Sequence, residues 1–252
     1  VVRIRLTLQY HGAAYNGWQV QPGKPTLQGA LEKALGRITG VPTAVVASGR
    51  TDAGVHAMAQ VAHFDTGRQL AEATWPKALN ANLPDDMSVL AATQVGEGFH
   101  ARYSAQGKHY RYRIMNRSAR CPFRRDRCWH VPQALDVPAM VAAAHHLVGD
   151  HDYSSFRASG CGANSPKRTV HRLTVRQEGD EVVFEVFGGG FLKQMVRNLV
   201  GTLVEVGLGR QSPAWVASAL AARDRCAAGP TAPARGLWLV SVDYPPQADL
   251  VP

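Results

Sequence analysis

The chain has 252 residues, 45% of them apolar and 19% charged, a composition that excludes disorder and allows one large domain or two small ones. Lys and Arg number 28 against 19 acidic residues, a formal charge of +9 with a pI near 9.7, which favours a polyanionic partner, nucleic acid before membrane. No apolar run is long enough for a membrane helix, the N-terminal residues alternate instead of forming a signal-peptide core, and the four cysteines form no C-x-x-C pair, so a cytoplasmic protein with reduced thiols is expected.

Residues 2–10 alternate as a strand, Val2, Ile4, Leu6 and Leu8 on one face and Arg3, Arg5, Thr7 and Gln9 on the other. Thr26 caps a predicted helix in which Leu27, Ala30, Leu31, Ala34, Leu35 and Ile38 keep helical spacing until Gly40 stops it. Residues 43–47 and 59–65 read as strands on either side of a loop, and a helix near 71–82 and a strand near 87–95 complete a first unit. In the second half, 108–116 is a strand and Asp136 opens a helix to about His146. Strands near 169–177 and 181–187 form a hairpin around Glu178-Gly179-Asp180. A helix near 192–207 carries the stripe Leu192, Met195, Val196, Leu199, Val200, Leu203 and Val206. Ser212-Pro213 starts another helix, and 237–243 is a last strand. The pattern predicts an α+β chain of two α/β units with mainly antiparallel sheets, 1–105 and 106–252. Without a G-x-G-x-x-G fingerprint, a dinucleotide fold is disfavoured.

Three segments carry candidate chemistry. In the loop Gly49-Arg50-Thr51-Asp52-Ala53-Gly54-Val55-His56, two glycines bracket an Arg, a Thr and an Asp between strands, where loops usually bear function. An ordinary turn with Asp52 capping its own backbone is the alternative. From 108 to 127 the basic residues are Lys108, Arg111, Arg113, Arg117, Arg120, Arg124, Arg125 and Arg127, against the single acid Asp126. Tyr110 and Tyr112 share one strand face and Arg111 and Arg113 the other. Arginines for phosphates and an aromatic for a base suit RNA better than a core-and-solvent reading. The third segment, Gly188-Gly189-Gly190-Phe191, leads toward Lys193 and Arg197. Its spacing is not that of a P-loop, and Arg197 near an apolar stripe calls for a carboxylate partner, for which Asp52 is a candidate. The histidines show no metal-ligand spacing and no G-x-S-x-G elbow is present.

With these residues in view, the chain resembles the tRNA pseudouridine synthase A family. Tyr10-His11-Gly12, Tyr15-Asn16-Gly17-Trp18-Gln19, the whole of Gly49–His56, Phe99-His100-Ala101-Arg102, Tyr110-Arg111-Tyr112, Ser155-Phe156, Phe191 with Met195-Val196-Arg197-Asn198, and Gly236-Leu237-Trp238-Leu239 follow in family order. The resemblance implies a pseudouridine-synthase-like body with a central cleft, isomerising uridine at positions 38 to 40 of the tRNA anticodon stem-loop as a homodimer without cofactor or metal. It implies that Asp52 is the catalytic aspartate and that Arg50 enters the space of the flipped base. Tyr110 would stack on the uracil with Leu237 on its other side, and Arg197 would be the basic partner of the aspartate. His11 departs from the Asp that many members carry. Two other classes compete: a noncatalytic RNA-binding module, which leaves the Arg-Thr-Asp loop unexplained, and a nucleoside hydrolase, which usually needs two carboxylates or a metal. Only Glu32 and Asp52 precede Asp65.

Overall fold

The computed structural model describes residues 1–246, which divide into two compact units: Val1–Gln106 together with the chain from Trp238, and Gly107–Leu237. In the first unit, β1 (Val2–Tyr10) buries Ile4, Leu6, Leu8 and Tyr10 and leaves the alternate residues outside. Its neighbours are α1 (Leu27–Thr39), β2 (Val46–Ala47), β3 (His56–Thr66), α2 (Thr74–Asn80) and β4 (Met87–Val95). β1 runs antiparallel to both β3, with Leu6 opposite Ala62, and β4, with Leu6 opposite Ala92. The Thr26 hydroxyl accepts the Gly29 N–H at the start of α1, and Gly40 closes its end in the left-handed region at φ 78°. Leu27, Leu31, Ala34 and Leu35 form the buried face of α1, each leucine contributing roughly 1.5–3 kcal/mol of burial. The Trp75 ring of α2 meets Phe64 edge-on at 5.2 Å. A smaller cluster of Val61, Val95, Phe99 and Ala101 is joined by Val242 and Tyr244.

The second unit contains β5 (Gly107–Met115), β6 (Trp129–His130), α3 (Val137–Ala144), β7 (Gly149–Asp152), β8 (Lys167–Glu178), β9 (Glu181–Gly188), α4 (Met195–Gly207) and α5 (Pro213–Ala222). Its antiparallel order is β5-β9-β8-β7, with β6 added parallel to β5. Asp136 caps α3 through the Ala139 N–H, and Ser212 caps α5 through the Trp215 N–H with Pro213 behind it. The last strand, β10 (Leu237–Asp243), lies parallel to β3, Trp238 opposite His56 and Leu239 opposite Ala57. The fold is α+β with mostly antiparallel pairing. Among the described residues no helix is long and apolar enough to cross a membrane.

Several boundaries differ from the sequence reading: β3 starts at His56 and not at 59, the chain from Trp238 joins the first unit, and three further differences have a local cause. Of 43–47, only Val46 and Ala47 pair with β3: the Val45 N–H is held by Glu32 of α1 and Thr43 bonds Thr39, so these residues are tied to α1 instead of to the sheet. The helix expected over 71–82 is shorter, because Thr74 N–H closes a turn on Ala71 O and Asn80 is spent on the Val89 N–H and C=O. α4 starts at Met195, not 192, because Gln194 sits at φ 59° and cannot continue a helix. The run Gly188–Gly190 therefore does not open α4. Gly188 ends β9 against Thr169, whose carbonyl lies 2.6 Å from where a Cβ would stand.

Candidate active site

The Gly49–His56 loop links β2 to β3, and it is tied down residue by residue. Ser48 N–H donates to Val61 O at 2.7 Å. Gln60, fully buried on β3, accepts the Ser48 hydroxyl at 2.7 Å and donates to Gly49 O at 3.0 Å and to the Tyr10 hydroxyl at 3.3 Å. Tyr10 in turn shares a hydrogen bond of 2.9 Å with the buried Thr51 hydroxyl. Burial pushes the Tyr10 hydroxyl up to about 12, more than its bonds with Thr51 and Gln60 lower it, so it stays protonated at neutral pH. The Trp18 N–H donates to Thr51 O at 3.0 Å and the Val55 N–H to Asp52 O at 3.1 Å.

Two glycines let a neighbouring segment approach this loop. At Gly12 a Cβ would stand 1.9 Å from Val55 O. At Gly17, in the left-handed region at φ 87°, it would meet Thr51 O at 2.8 Å. The Gly12 N–H donates to His56 Nδ1 at 3.0 Å, and the His56 ring lies between those of His11 at 4.4 Å and Trp238 at 4.3 Å. With Ser48, Thr51, Val55 and His56 buried, Arg50 is left exposed and Asp52 half-buried. The loop is thus clamped on two sides, with an arginine and a carboxylate between the clamps.

In the second unit, Tyr110 lies on β5 opposite Val186 and is 9% exposed, with Phe191 edge-on at 5.2 Å. Tyr112, on the same face, is core: its hydroxyl donates to Pro233 O at 2.7 Å and Gly236 leaves room for its ring. Arg197 is half-buried at the start of α4. Its Nε donates to Ala232 O at 2.8 Å, and Ala232 N–H returns a bond of 3.1 Å to Arg197 O. The next residue, Asn198, is fully buried. It donates to Phe156 O and accepts from Arg225 and Thr231, so the strip leading to Leu237 (6% exposed) is anchored on α4.

The basic segment divides in two. Arg111 and Arg113 are not free for phosphate, because they bond the buried carboxylates of Glu185 at 2.7 Å and Glu181 at 2.6 Å across the β5–β9 ladder. Burial works against the Glu185 carboxylate, but the bond and charge of Arg111, with His109 and Arg176, outweigh it and its pKa lies below the usual value. Arg124 lies 3.5 Å from Glu181 and Arg117 pairs with Asp180. Arg120, Arg125 and Arg127 remain exposed.

The structure therefore groups Arg50 with Asp52 on one loop of the first unit, and places Tyr110, Arg197 and Leu237 in the second. The sequence reading missed Gln60 and Thr51 as supports of that loop. Gln60 carried a signal: strand alternation puts it with Ala62 and Phe64 on the buried face, where an amide must find partners.

Comparison with known proteins adds the following. The profile of the tRNA pseudouridine synthase family matches residues 7–104 and 143–245. The chain is 51% identical over 243 residues to a tRNA pseudouridine synthase A of Myxococcus xanthus, covering 96% of this chain and 92% of the relative. It is 47% identical over 251 residues to that of Methylococcus capsulatus, covering 99% and 92%, and 47% identical over 249 residues to that of Nitrosococcus oceani, covering 99% and 96%. Among solved structures, a chain of a Cbf5-Nop10-Gar1 complex aligns over 79% of this chain and 54% of its own, at 14% identity and a TM-score of 0.33, too low to bear on the fold.

Proposed function

The chain belongs to the tRNA pseudouridine synthase family, and from that premise we propose that it isomerises uridine to pseudouridine at positions 38 to 40 of the tRNA anticodon stem-loop, as a homodimer in the cytoplasm. The observation that supports this reading is the clamped Gly49–His56 loop, which fixes its backbone on both sides of the half-buried Asp52.

The reaction breaks the C1′–N1 glycosidic bond, turns the detached uracil and joins its C5 to C1′. Product and substrate share one formula, so the chemistry consumes no cofactor. One ionised carboxylate suffices, as nucleophile on the nucleoside or as base on a sugar proton, and Asp52 takes that role. The family resemblance makes Arg197 its basic partner. Access requires flipping the nucleotide out of its stack at a cost of a few kcal/mol, which Arg50 offsets by occupying the space left behind. The freed base must stay in place while it turns, and the Tyr110 face with Leu237 opposite holds it.

Incubation with tRNA tritiated at uracil C5 tests the reading. The expected result is tritium release from an intact strand that contains pseudouridine. Release of free uracil would mean a hydrolase, and binding without release would mean an RNA-binding module. Either result would refute the proposal. Primer-extension mapping of the modified residue to a position outside 38 to 40 would refute the site assignment alone.

A further inference from the structure

The segment Phe99–Ser104 is built around an outward-facing pair. At its root Arg3 grips Asp65 through Nε at 2.7 Å and one terminal nitrogen at 2.8 Å, and the other terminal nitrogen donates to Glu97 O and Phe99 O at 2.7 and 2.8 Å. Phe99 and Ala101 are buried. Ala101 N–H donates to His63 Nδ1 at 3.1 Å, and its carbonyl accepts the Tyr244 hydroxyl at 2.5 Å. His100 closes the turn. Its N–H donates to the Ser104 hydroxyl and its carbonyl accepts the Ser104 N–H, both at 2.9 Å, while its Nδ1 accepts the N–H groups of Arg102 at 3.1 Å and Tyr103 at 3.2 Å.

With those backbone groups held inward, the side chains of Arg102 and Tyr103 go out. Tyr103 is 77% exposed, its ring 4.4 Å from that of His100 at 33° and 5.6 Å from the Arg102 guanidinium. A single exposed aromatic is ordinary on a protein surface. A rigid turn that spends an imidazole nitrogen on fixing two successive residues, one flat and one cationic, is not. Residues 99–104 contain no acid to neutralise Arg102.

We propose that Arg102 and Tyr103 form a second RNA contact, apart from the residues assigned to the reacting uridine. An unpaired base of the RNA stacks on the Tyr103 ring, and the Arg102 guanidinium binds an adjoining phosphate. The chemistry is that of single-stranded recognition, in which any base offers a flat face to a tyrosine and the arginine supplies charge. The ring is already oriented, so little rotamer freedom is lost on binding. The RNA partner rests on the family reading above, but the contact itself is read by binding and not by turnover.

The test uses the full chain and an unmodified tRNA transcript. Tyr103→Ala is expected to weaken tRNA binding about tenfold, and Tyr103→Phe, which restores the ring, to recover it. Arg102→Gln is expected to weaken binding and to lower the slope of log affinity against log salt by roughly one, as loss of one phosphate contact requires. Cross-linking at short wavelength followed by peptide mapping should place RNA on residues 99–104. Both side chains project from the surface, so unchanged melting temperatures will show that the variants fold. Wild-type affinity for Tyr103→Ala would overturn the proposal, as would a Tyr103→Ala chain that loses its oligomeric state in sedimentation, since the patch would then join copies of the chain. Pseudouridine formation by the wild type separates the two proposals: if it is absent while the affinities respond, the proposed activity fails and this contact stands.

Discussion

Replacing Gln60 by Met keeps a straight side chain of similar length while deleting four hydrogen bonds, to the Ser48 hydroxyl, Gly49 O, the Tyr10 hydroxyl and the Val61 N–H. Gln60, Ser48, Tyr10 and Val61 are buried and Gly49 is half-buried, so water replaces the amide poorly. An orphaned buried polar group costs about 1–3 kcal/mol. Tyr10 keeps Thr51, which confines the full penalty to the Gly49 carbonyl with a smaller share from Ser48, and the expected destabilisation is about 2–4 kcal/mol. At roughly 2–4 °C per kcal/mol for a chain of this size, the melting temperature falls by about 4–16 °C. The functional effect is more specific. Gly49 and Thr51 flank Arg50, and Thr51 immediately precedes Asp52, so loosening their anchors misplaces the carboxylate. Single-turnover kcat on tRNA should drop at least about tenfold, corresponding to about 1.4 kcal/mol of transition-state stabilisation, while the dissociation constant moves by less than about twofold. Tyr10→Phe should cost less, and the double variant should show a coupling of about 0.5–3 kcal/mol, because the two side chains share one network. A Gln60→Met enzyme with wild-type kcat and melting temperature would refute the reasoning, and so would strict additivity with Tyr10→Phe.

Asp52→Asn is expected to abolish isomerisation at saturating enzyme while tRNA affinity, measured by filter binding, stays nearly intact; appreciable residual turnover would remove Asp52 from the chemistry. Tyr110→Phe should keep most of the activity and Tyr110→Ala lose it, since a stacking platform contributes about 1–3 kcal/mol, and a Phe variant as inactive as Ala would assign the hydroxyl to catalysis. Neutralising the exposed Arg120, Arg125 and Arg127 to Gln should weaken binding of all tRNAs alike and flatten its salt dependence; selective loss of one tRNA would show that the cluster reads sequence. His63 should weaken the fold in mild acid: burial, helped by Arg3 and His100 and opposed by Asp65, lowers its pKa to about 4, so between 6.5 and about 4 the unfolded chain takes a proton that the folded chain refuses. Stability should be flat in this respect above 6.5, fall from there to about 4 and level off below, and a His63 midpoint near 6.5 by NMR would contradict this.

The elements that sequence predicted best are those whose cause is local. The Thr26, Asp136 and Ser212 caps lie within three residues of the N–H groups they hold, and the alternation of β1 needs only its own nine residues. Where a distant group decides, local reading failed. The start of α4 depends on a left-handed Gln194 that no propensity demands. Arg111 and Arg113 looked like a phosphate-facing pair because their carboxylates, Glu185 and Glu181, lie 74 and 68 residues further on. The aspartate loop shows both cases at once. Its glycines and polar residues marked it as a place for chemistry, and the family resemblance supplied the roles. Its rigidity, however, comes from Tyr10, Gly12, Gly17 and Trp18, 33 to 43 residues before the loop residues they contact, and from Gln60 just beyond it. None of those supports is itself proposed to touch the nucleotide.

That separation has a consequence for how the site tolerates change. The supports combine side-chain hydrogen bonds, bonds to backbone carbonyls and close approaches that only glycine permits, and for the last of these no side-chain replacement can substitute. Gly12→Ala would drive a methyl to 1.9 Å from Val55 O, a distance no rotamer change relieves because both partners are backbone. The segment must then move away from the loop, breaking the Gly12 N–H bond to His56 and the ring stack that joins His11, His56 and Trp238. Arg50 and Asp52 can vary only within a frame set elsewhere. Within the first unit, the candidate site is therefore written in two parts of the sequence: a short loop that carries Arg50 and Asp52, and a remote strand end with its glycine turn that decides where those residues stand.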